Sequence, residues 1–487
     1  MKNFQLEFLT NKQNVRILTW LSIFQRDTEV TVTELIDHTG ISAKTIATDI
    51  AYIKKYFAST IDLTSSNRGY TFSINSSKDF LEKKRALLAH EPLFILIESI
   101  FMNRCLSINE WSEKLYLSVS TLLRYLRRIE PIISGYNLAL KTYPVDFDGS
   151  ELDIRSFFHD FYYESDITPH TIFPTSDIQK LALSLKKSSL FPEFSFISLG
   201  DFNYIVYIAL TRYHSGKPIE HREGYRADLV NRAMDLGGVI SSVSKKKKEN
   251  INLDEKVYLY MMLLFRRSVT NYEHELAFQK NLTKNDFAEE LAISYANMIS
   301  TEEASFNKIF PYVRTFFYNQ ILKYNISPVL IQNIEDVSIF VQKSLSNAYL
   351  ASLYFIEFYV EKEIVLSNKQ RTSFAASLAL FTDSLKMAHI NKSHNIAFLL
   401  EGNYLVCEYI RLIAFDLLGT KNTLFFPSVL EMTKEYFQEN SIDIVVTNYS
   451  EYLFDSLGDV NYILFELMPT EKNWTQLLDY VNKESIL

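Results

Sequence analysis

Residues 31–46 read TVTELIDHTGISAKTI, and this stretch carries the signals for two short helices separated by a tight turn. Thr31 or Thr33 is suited to cap the first helix, because a threonine side-chain oxygen accepts a hydrogen bond from a backbone N–H of the first turn. Gly40 suits the left-handed conformation that often ends a helix. Ser42 is suited to cap a second helix directly afterwards. The stretch therefore predicts a helix-turn-helix.

The flanking residues extend this motif. Asn14 to Phe24 carries apolar residues at helical spacing, and the helix that follows Ser42 is expected to run to about Phe57. Two strand-like runs then flank an Asn67-Arg68-Gly69 turn, which is typical of a hairpin. We therefore expect residues 1–80 to form a winged helix-turn-helix.

Residues 81–150 repeat this pattern with little residue identity. An opening helix is expected from Pro92 to Met102, and Ser107 begins a Ser-x-x-Glu capping box. Leu117 to Ser120 is the expected turn, and Thr121 to Ile129 is a second candidate recognition helix. Two further strand-like runs follow it, so the sequence predicts a second winged unit.

The remainder of the chain is predicted to be helical up to about residue 390. Beyond that point, four short apolar runs alternate with helical segments, which indicates a small parallel-sheet α/β domain. The predicted fold class is therefore multidomain and mainly α, with tandem winged helix-turn-helix units, a helical middle and a small C-terminal α/β domain.

Composition limits the class of protein. The chain has 487 residues, a formal net charge of -8 and two cysteines, Cys105 and Cys407, which fits a reducing compartment. The longest apolar run, Val257 to Phe265, is too short to span a bilayer, and an acid lies where a signal peptide would be apolar. We therefore expect a cytoplasmic protein without membrane contact. The acidic charge argues against a nonspecific nucleic-acid coat but leaves room for a basic contact face.

Motifs for enzyme chemistry are absent from the sequence. It contains no Walker loop, dinucleotide fingerprint, zinc-ligand spacing or HExxH motif. Adjacent carboxylates such as Glu289-Glu290 diverge on a helix, so they predict solvated faces rather than a catalytic pair. We therefore expect a protein that is not an enzyme and holds no cofactor or metal.

The two candidate recognition helices carry the predicted function. The major groove of B-DNA admits an α-helix, whose outward side chains reach base edges, and arginine can pair with guanine in a bidentate way. The outward side chains predicted for the first unit are Ser42, Lys44, Thr45, Thr48, Asp49 and Tyr52, with Arg68 at the wing tip. Those predicted for the second unit are Ser118, Ser120, Thr121, Arg124, Arg127 and Arg128. The alternative is that one or both units are structural and that these arginines form surface salt bridges.

The order of these parts resembles the Mga and AtxA family of global regulators from Gram-positive bacteria. The local motifs that carry the resemblance are Val32 to Ile50 and the segment from Phe147 to Phe158. The resemblance implies two helical phosphotransferase-system regulation domains, at 151–290 and 291–391, and a domain at 392–487 like the IIB component of sugar phosphotransferase systems.

The resemblance also implies regulation by histidine phosphorylation, but the sequence departs from the family there. Residues 207–216 resemble a signature of the regulation domains, in which an Asp-His pair lies a few residues before an Arg; here that pair is Tyr204-Ile205. His214 and His274 are the remaining candidates in the first regulation domain, followed by His159 and His170.

The IIB-like domain departs from the family as well. A working IIB domain carries a phosphorylated cysteine in the loop after its first strand, where this chain has Glu401-Gly402-Asn403. Cys407 lies further on, inside the next helix, and is expected to be a buried structural thiol. The resemblance then implies a dimerisation module rather than a phosphotransfer domain.

The leading hypothesis is a transcription activator that binds double-stranded promoter DNA as a homodimer or larger oligomer. Phosphocarrier proteins of the phosphotransferase system are the implied regulatory partners. Two alternatives remain open: a phosphotransferase-type carrier or enzyme, and an interaction scaffold with vestigial DNA-binding units. An RNA antiterminator fits less well, because such proteins begin with a small β-rich domain.

Overall fold

The computed structural model describes most of the chain. The described residues are 3–27, 29–66, 69–163, 170, 172–187, 198–220, 227–243, 251–266, 275–276, 278–279, 285–300, 303–333, 335–390, 393–420, 422–427, 434–449 and 461–483. The chain divides into a larger unit, Met1–Thr301 with Phe310–Phe381, and a smaller unit, Glu302–Ile309 with Thr382–Leu487. Within these described stretches, every helix is too short or too polar to cross a lipid bilayer.

The first 163 residues contain short helices and two hairpins. The helices are α1 (Asn3–Leu6), α2 (Lys12–Arg26), α3 (Val32–Thr39), α4 (Ala43–Phe57), α5 (Ser77–Leu88), α6 (Pro92–Phe101), α7 (Ile108–Lys114), α8 (Val119–Ser134) and α9 (Glu151–Tyr163). The strands are β1 (Glu29–Val30), β2 (Ile61–Ser66), β3 (Gly69–Ile74), β4 (Ala139–Thr142) and β5 (Val145–Asp148). Antiparallel pairing joins β2 to β3, β1 to β3 and β4 to β5.

The predicted local signals are present where the helices begin and end. Thr31 caps α3 in a capping box with Glu34, and Gly40 ends that helix with a φ of 66°. Ser42 caps α4 and Ser118 caps α8. Such a cap contributes about 1 kcal/mol to helix stability, because it satisfies an otherwise unpaired backbone N–H. Both helix-turn-helix predictions are therefore confirmed as local structure, including their hairpins.

The two helix-turn-helix segments have separate apolar cores, and α5 contributes to both. Phe80 of α5 packs in the core of the first segment, with Leu35, Ile50 and Phe72. Leu88, at the other end of α5, packs in the core of the second segment. The sequence did not predict α5 or the short strand β1. The boundary near residue 80 therefore falls inside a helix that both segments share.

The middle of the chain is helical. Its helices are α10 (Ser176–Lys187), α11 (Leu199–His214), α12 (Ala227–Val243), α13 (Leu253–Leu264), α14 (Asp286–Ile299), α15 (Glu303–Ile326), α16 (Glu335–Ser344), α17 (Ser346–Phe355) and α18 (Asn368–Leu385). A 3₁₀ turn at Pro328–Ile331 follows α15, and one π-helical turn extends each of α17 and α18, at Ile356–Val360 and Lys386–Ile390. The long run of predicted helix is confirmed.

The smaller unit contains a four-stranded parallel sheet. Its strands are β6 (Asn395–Leu399), β7 (Thr423–Phe425), β8 (Ile444–Thr447) and β9 (Asn461–Leu464), in the spatial order β7-β6-β8-β9. Its helices after β6 are α19 (Tyr404–Leu418), α20 (Lys434–Glu439) and α21 (Glu471–Lys483). Alternate residues of β6 point to opposite faces: Phe398 packs with α19 and α21, and Leu399 with α20.

The coarse fold prediction is confirmed by these elements: the chain is mainly helical and ends in a small parallel sheet. The division of the helical middle into two regulation domains, and the IIB-like character of the sheet, stay predictions.

Candidate nucleic-acid interface

The first candidate recognition helix, α4, has one buried and one open face. Ile46, Ile50, Ile53 and Phe57 are buried in the core of the first segment. On the open face, Ser42, Lys44 and Thr48 are exposed, and Thr45 and Tyr52 are half-buried. Ser42 Oγ accepts a hydrogen bond from the Thr45 backbone N–H at 3.4 Å. The apolar face of α4 therefore packs in the core, and its polar face is available for contact with the major groove of DNA.

Asp49 does not share that open face. Its carboxylate is 1% exposed and accepts hydrogen bonds from Arg16 Nε at 2.6 Å and Arg16 Nη2 at 3.0 Å. The indole Nε1 of the buried Trp20 donates a further bond at 3.2 Å. The prediction that Asp49 faces outward is therefore wrong: the side chain ties α4 to α2.

The wing of the first segment is described except at its tip. Arg68, predicted to contact DNA, lies outside the described residues. Gly69 follows it with a φ of +134°, and a Cβ there would lie 2.4 Å from the Val30 carbonyl oxygen of β1. Only glycine avoids that overlap, so the approach of β1 to β3 depends on Gly69.

The second candidate recognition helix, α8, follows the same design. Leu122, Leu126, Ile129 and Ile133 are buried in the core of the second segment. Ser118, Ser120, Arg124, Arg127 and Arg128 are exposed, and Thr121 is half-buried. Ser118 Oγ accepts a hydrogen bond from the Thr121 backbone N–H at 3.2 Å. The buried residues recur every three or four positions, which leaves the polar stripe on the opposite side.

The three arginines of α8 differ in their surroundings. Arg128 Nη2 donates to the backbone carbonyls of Glu7 at 3.1 Å and Leu9 at 2.8 Å, so this guanidinium holds the N-terminal segment. Arg124 lies over the ring of its neighbour Tyr125, 5.7 Å from the centroid. Arg124 and Arg127 are therefore the stronger candidates for contact with DNA.

Hydrogen bonds that the sequence did not predict join the two segments. Glu91, directly before α6, is 3% exposed and accepts bonds from the backbone N–H and the hydroxyl of Thr10, both at 2.8 Å. Asn14 Nδ2 donates to Glu91 at 3.1 Å and to the Leu87 carbonyl at 3.0 Å. Thr10 and Asn14 lie at the start of α2, so the first segment is anchored to the second.

The N-terminal segment strengthens this joint. Phe8 and Leu9 are buried in the core of the second segment, although they precede the first segment in the chain. The Gln5 side-chain amide donates to the Phe161 carbonyl of α9 at 2.8 Å. The apolar contacts and hydrogen bonds together fix α4 and α8 relative to each other.

The charge of this part of the chain differs from the average. Residues 1–150 carry slightly more Lys and Arg than Asp and Glu, although the whole chain has a formal net charge of -8. The acidic excess therefore lies outside the two helix-turn-helix segments. The whole-chain charge suggests repulsion by the DNA phosphates, but the charge of these segments does not.

A buried charge network connects the second segment to the helical middle. Arg155 of α9 and Arg212 of α11 are both 0% exposed, and each donates to Glu151. Arg155 also pairs with Glu255 of α13 at 2.7 Å. Arg212 Nη1 donates to the Ile100 carbonyl at the end of α6 at 2.7 Å. Removing one member of such a network leaves a buried charge unpaired, which is strongly destabilising.

The predicted regulatory histidines have different surroundings. His214 is exposed at the end of α11, two residues after Arg212, and its ring lies 5.5 Å from that of Tyr213. His274 lies outside the described residues. His170 is hydrogen-bonded to Glu98.

His159 lies in a cluster of charged groups. Its Nε2 is 2.7 Å from Asp201 Oδ1. Burial of the His159 imidazole opposes its protonation, but hydrogen bonds to Asp160 and Asp201 outweigh burial and raise the His159 pKa. In Asp201, the pairing with His159 and Arg266 outweighs burial and holds the carboxyl pKa well below its usual range. From the sequence alone, His159 ranks below His214 and His274, because Asp201 and Arg266 are distant from it in the chain.

Cys407 lies in the first turn of α19 and is partly exposed, so the expectation of a buried thiol is wrong. Burial is still the main cause that raises its pKa, followed by the charge of Glu401. Among the described residues, no group of three or more His, Cys, Asp or Glu side chains could hold a metal ion.

Comparison with known proteins identifies the second helix-turn-helix segment. Residues 76–162 match the model of the Mga helix-turn-helix domain. The matched span begins at Ser76, which caps α5, and extends into α9. The match therefore includes the start of the shared helix α5 and most of the aromatic helix α9, which lie outside the predicted limits of 81–150.

Three curated relatives come from Bacillus anthracis. The capsule synthesis positive regulator AcpA is 24% identical over 56% of this chain and 58% of its own length. The capsule synthesis positive regulator AcpB is 20% identical over 90% of this chain and 92% of its own length. The anthrax toxin expression trans-acting positive regulator is 22% identical over 96% of this chain and 98% of its own length. The second segment is therefore similar to the Mga helix-turn-helix domain, and the chain is similar over most of its length to two positive regulators of this kind.

Proposed function

We propose that the chain activates transcription by binding promoter DNA with two tandem winged helix-turn-helix segments, through α4 and α8. The observation that carries the proposal is the shared design of these helices. Each is capped by a serine, has an apolar face in its own core and leaves a polar face exposed. The bonds of Glu91 to Thr10 and Asn14 hold the two helices in one body.

The proposed contact residues are those of the two exposed faces. On α4 and its wing they are Ser42, Lys44, Thr45, Thr48, Tyr52 and Arg68. On α8 they are Ser118, Ser120, Thr121, Arg124 and Arg127, with Arg128 in a positioning role. The serine and threonine side chains suit phosphate contacts, and the arginines suit base edges.

The sign of regulation and the remaining domains are part of the same proposal. All three relatives are described as positive regulators, which favours activation here. We assign regulation domains to residues 151–290 and 291–391, with phosphocarrier proteins as partners and His214 or His274 as phosphorylation sites. The IIB-like domain at 392–487 would join two copies in a cytoplasmic homodimer or larger oligomer.

A gel shift on the DNA upstream of the chain's own coding region tests the proposal. The double variant Arg124→Ala, Arg127→Ala should bind specific DNA at least about tenfold more weakly, since each bidentate arginine contributes about 1–3 kcal/mol. Because base-edge contacts distinguish one sequence from another, the affinity for unrelated DNA should fall much less than the affinity for specific DNA.

A matched control removes two arginines elsewhere. Arg314 and Arg371 are half-buried partners of Glu289 and Glu361 in the helical middle. The variant Arg314→Ala, Arg371→Ala has the same change in charge and should keep full DNA affinity. Equal affinity of the α8 variant and this control would refute contact through α8.

A further inference from the structure

A cleft lies in the helical part of the larger unit, apart from the candidate DNA contacts. Its volume is about 300 Å³, and its walls come from α9, α11, α13, the end of α15 and the 3₁₀ turn at Pro328–Ile331. This volume is at the lower end of the range for small-molecule sites.

The polar wall of the cleft is mainly cationic. His159, Arg266 and Lys323 line it, together with the carboxyl group of Asp160. Asp201 bridges two of the cations, because its Oδ1 is 2.7 Å from His159 Nε2 and its Oδ2 is 2.8 Å from Arg266 Nε. Asp160 is a second carboxylate, with its Oδ1 3.5 Å from His159 Nδ1. Two carboxylates therefore face three cationic side chains, and this excess of cationic groups would favour an added anion beside Arg266 and Lys323.

Arg266 retains capacity for a further partner. A guanidinium has five N–H donors. Within the described part of the chain, Arg266 bonds to Asp201 and to the Met262 carbonyl at 2.8 Å, and its side chain is 30% exposed. These bonds use three donors, so the others are available to an anion at the cleft.

The other wall of the cleft is apolar and is formed in part by Ile208, Met262 and Leu330. The Gln332 side chain also lines the cleft, and no described residue donates a hydrogen bond to its buried carbonyl oxygen. An apolar wall, a cationic wall and an amide acceptor match a ligand with a carbon body, a negative charge and a hydroxyl group. A bare inorganic ion would leave the apolar wall without a partner.

We propose that this cleft binds a small hydroxylated organic anion, either a phosphate ester or a carboxylate, with Arg266 and Lys323 as the partners of its negative charge.

The position of the cleft gives such a ligand a route to the DNA-binding part. His159 and Asp160 lie on α9, and other side chains of the same helix, Phe158 and Phe161, are fully buried in the core of the second helix-turn-helix segment. A ligand that stabilises α9 would therefore also stabilise that core.

Calorimetric titration and thermal unfolding of the full chain test the proposal without any use of DNA. The probes are glycerol 3-phosphate and malate, with inorganic phosphate and neutral glycerol as comparisons, all at one ionic strength. We expect saturable binding of at least one organic anion, weaker binding of inorganic phosphate and none of glycerol. At a probe concentration about ten times Kd, Tm should rise on the order of 2 °C.

Two variants and one control assign the binding to the cleft. Arg266→Met and Lys323→Gln should each weaken binding about tenfold, because each removes a charge-assisted hydrogen bond. Arg314→Met is the matched control: Arg314 is a half-buried arginine paired with Glu289, away from the cleft, and its side chain is 34% exposed. This control should bind the probe like the unmodified protein.

Either of two results would overturn the proposal. One is the absence of saturable binding for both organic anions. The other is equal affinity for the organic anion in the unmodified protein, Arg266→Met and Lys323→Gln, which would indicate a general effect of ions. Binding of one anion but not the other would support the proposal and identify its chemical class. DNA binding is not measured, so these results are independent of the proposed transcriptional role.

Discussion

Replacement of Asp49 by alanine tests whether this carboxylate is the tie between α4 and α2. Asp49→Ala removes two hydrogen bonds from Arg16 and one from Trp20. The Arg16 side chain is 29% exposed, so water partly replaces the lost carboxylate. The loss of the Arg16 hydrogen bonds therefore contributes little to the free-energy cost. Trp20 is 0% exposed, and its unpaired N–H alone costs about 1–3 kcal/mol. We expect a total loss of about 3 kcal/mol in the free energy of unfolding of the first segment.

Urea unfolding followed by the fluorescence of Trp20 measures this loss. The chain has three tryptophans, so a background with Trp111→Phe and Trp474→Phe leaves Trp20 as the only indole. With a urea slope of about 2 kcal/mol/M, Asp49→Ala should lower the midpoint by about 1.5 M. Asp62→Ala, at an exposed position of β2, is the control and should change the midpoint little. Equal midpoints for the two variants would refute the role assigned to Asp49.

Two further predictions concern the His159 cluster and the joint at Glu91. Hydrogen bonds to Asp160 and Asp201 outweigh burial and raise the His159 pKa, so its contribution to stability is fully present below about 6.5 and is lost as pH rises through the raised value. The free energy of unfolding of the unmodified protein should fall over that interval more steeply than that of His159→Gln, and parallel curves would contradict the pairing. Because the Glu91 bonds fix α4 relative to α8, gel shifts should show weaker binding when about 5 or about 10 base pairs are inserted between the DNA segments that α4 and α8 are proposed to contact. Full affinity after the 10-base-pair insertion would indicate a flexible joint, and Glu91→Ala should make the protein more tolerant of that insertion.

Local signals in the sequence were sufficient for both recognition helices, the helices directly before them and both hairpins, but not for α5 or β1. Thr31, Gly40 and Ser42 act within one turn of their own backbone, so their residue types alone predict where α3 and α4 begin and end. The apolar runs of the parallel strands were equally informative, because β8 is buried on both faces.

Asp49 shows how a local pattern can mislead. It lies three residues after Ile46 and four before Ile53, which is the spacing of the buried face. Its polar type suggested an outward side chain, whereas its position in the helix indicated the core. The Asp49 carboxylate can be buried because Arg16 and Trp20 donate hydrogen bonds to it, and these two residues belong to another helix.

Contacts between distant residues could not be predicted from the sequence. The bond from Gln5 to Phe161 spans 156 positions, and the pairing of Thr10 with Glu91 spans 81. No periodicity of a single segment indicates such pairs. The apolar residues Phe4, Leu6, Phe8 and Leu9, which precede the first predicted helix, were the one available sign that the N-terminal segment belongs to a core.

The most direct test of the central claim is a nuclease footprint of the full chain on genomic promoter fragments. The unmodified protein should protect two neighbouring DNA segments, one for each recognition helix. Lys44→Ala with Thr48→Ala should lose one of them, and Arg124→Ala with Arg127→Ala should lose the other. If both DNA segments stay protected in both variants, or if the unmodified protein protects no DNA at low salt, α4 and α8 do not contact DNA.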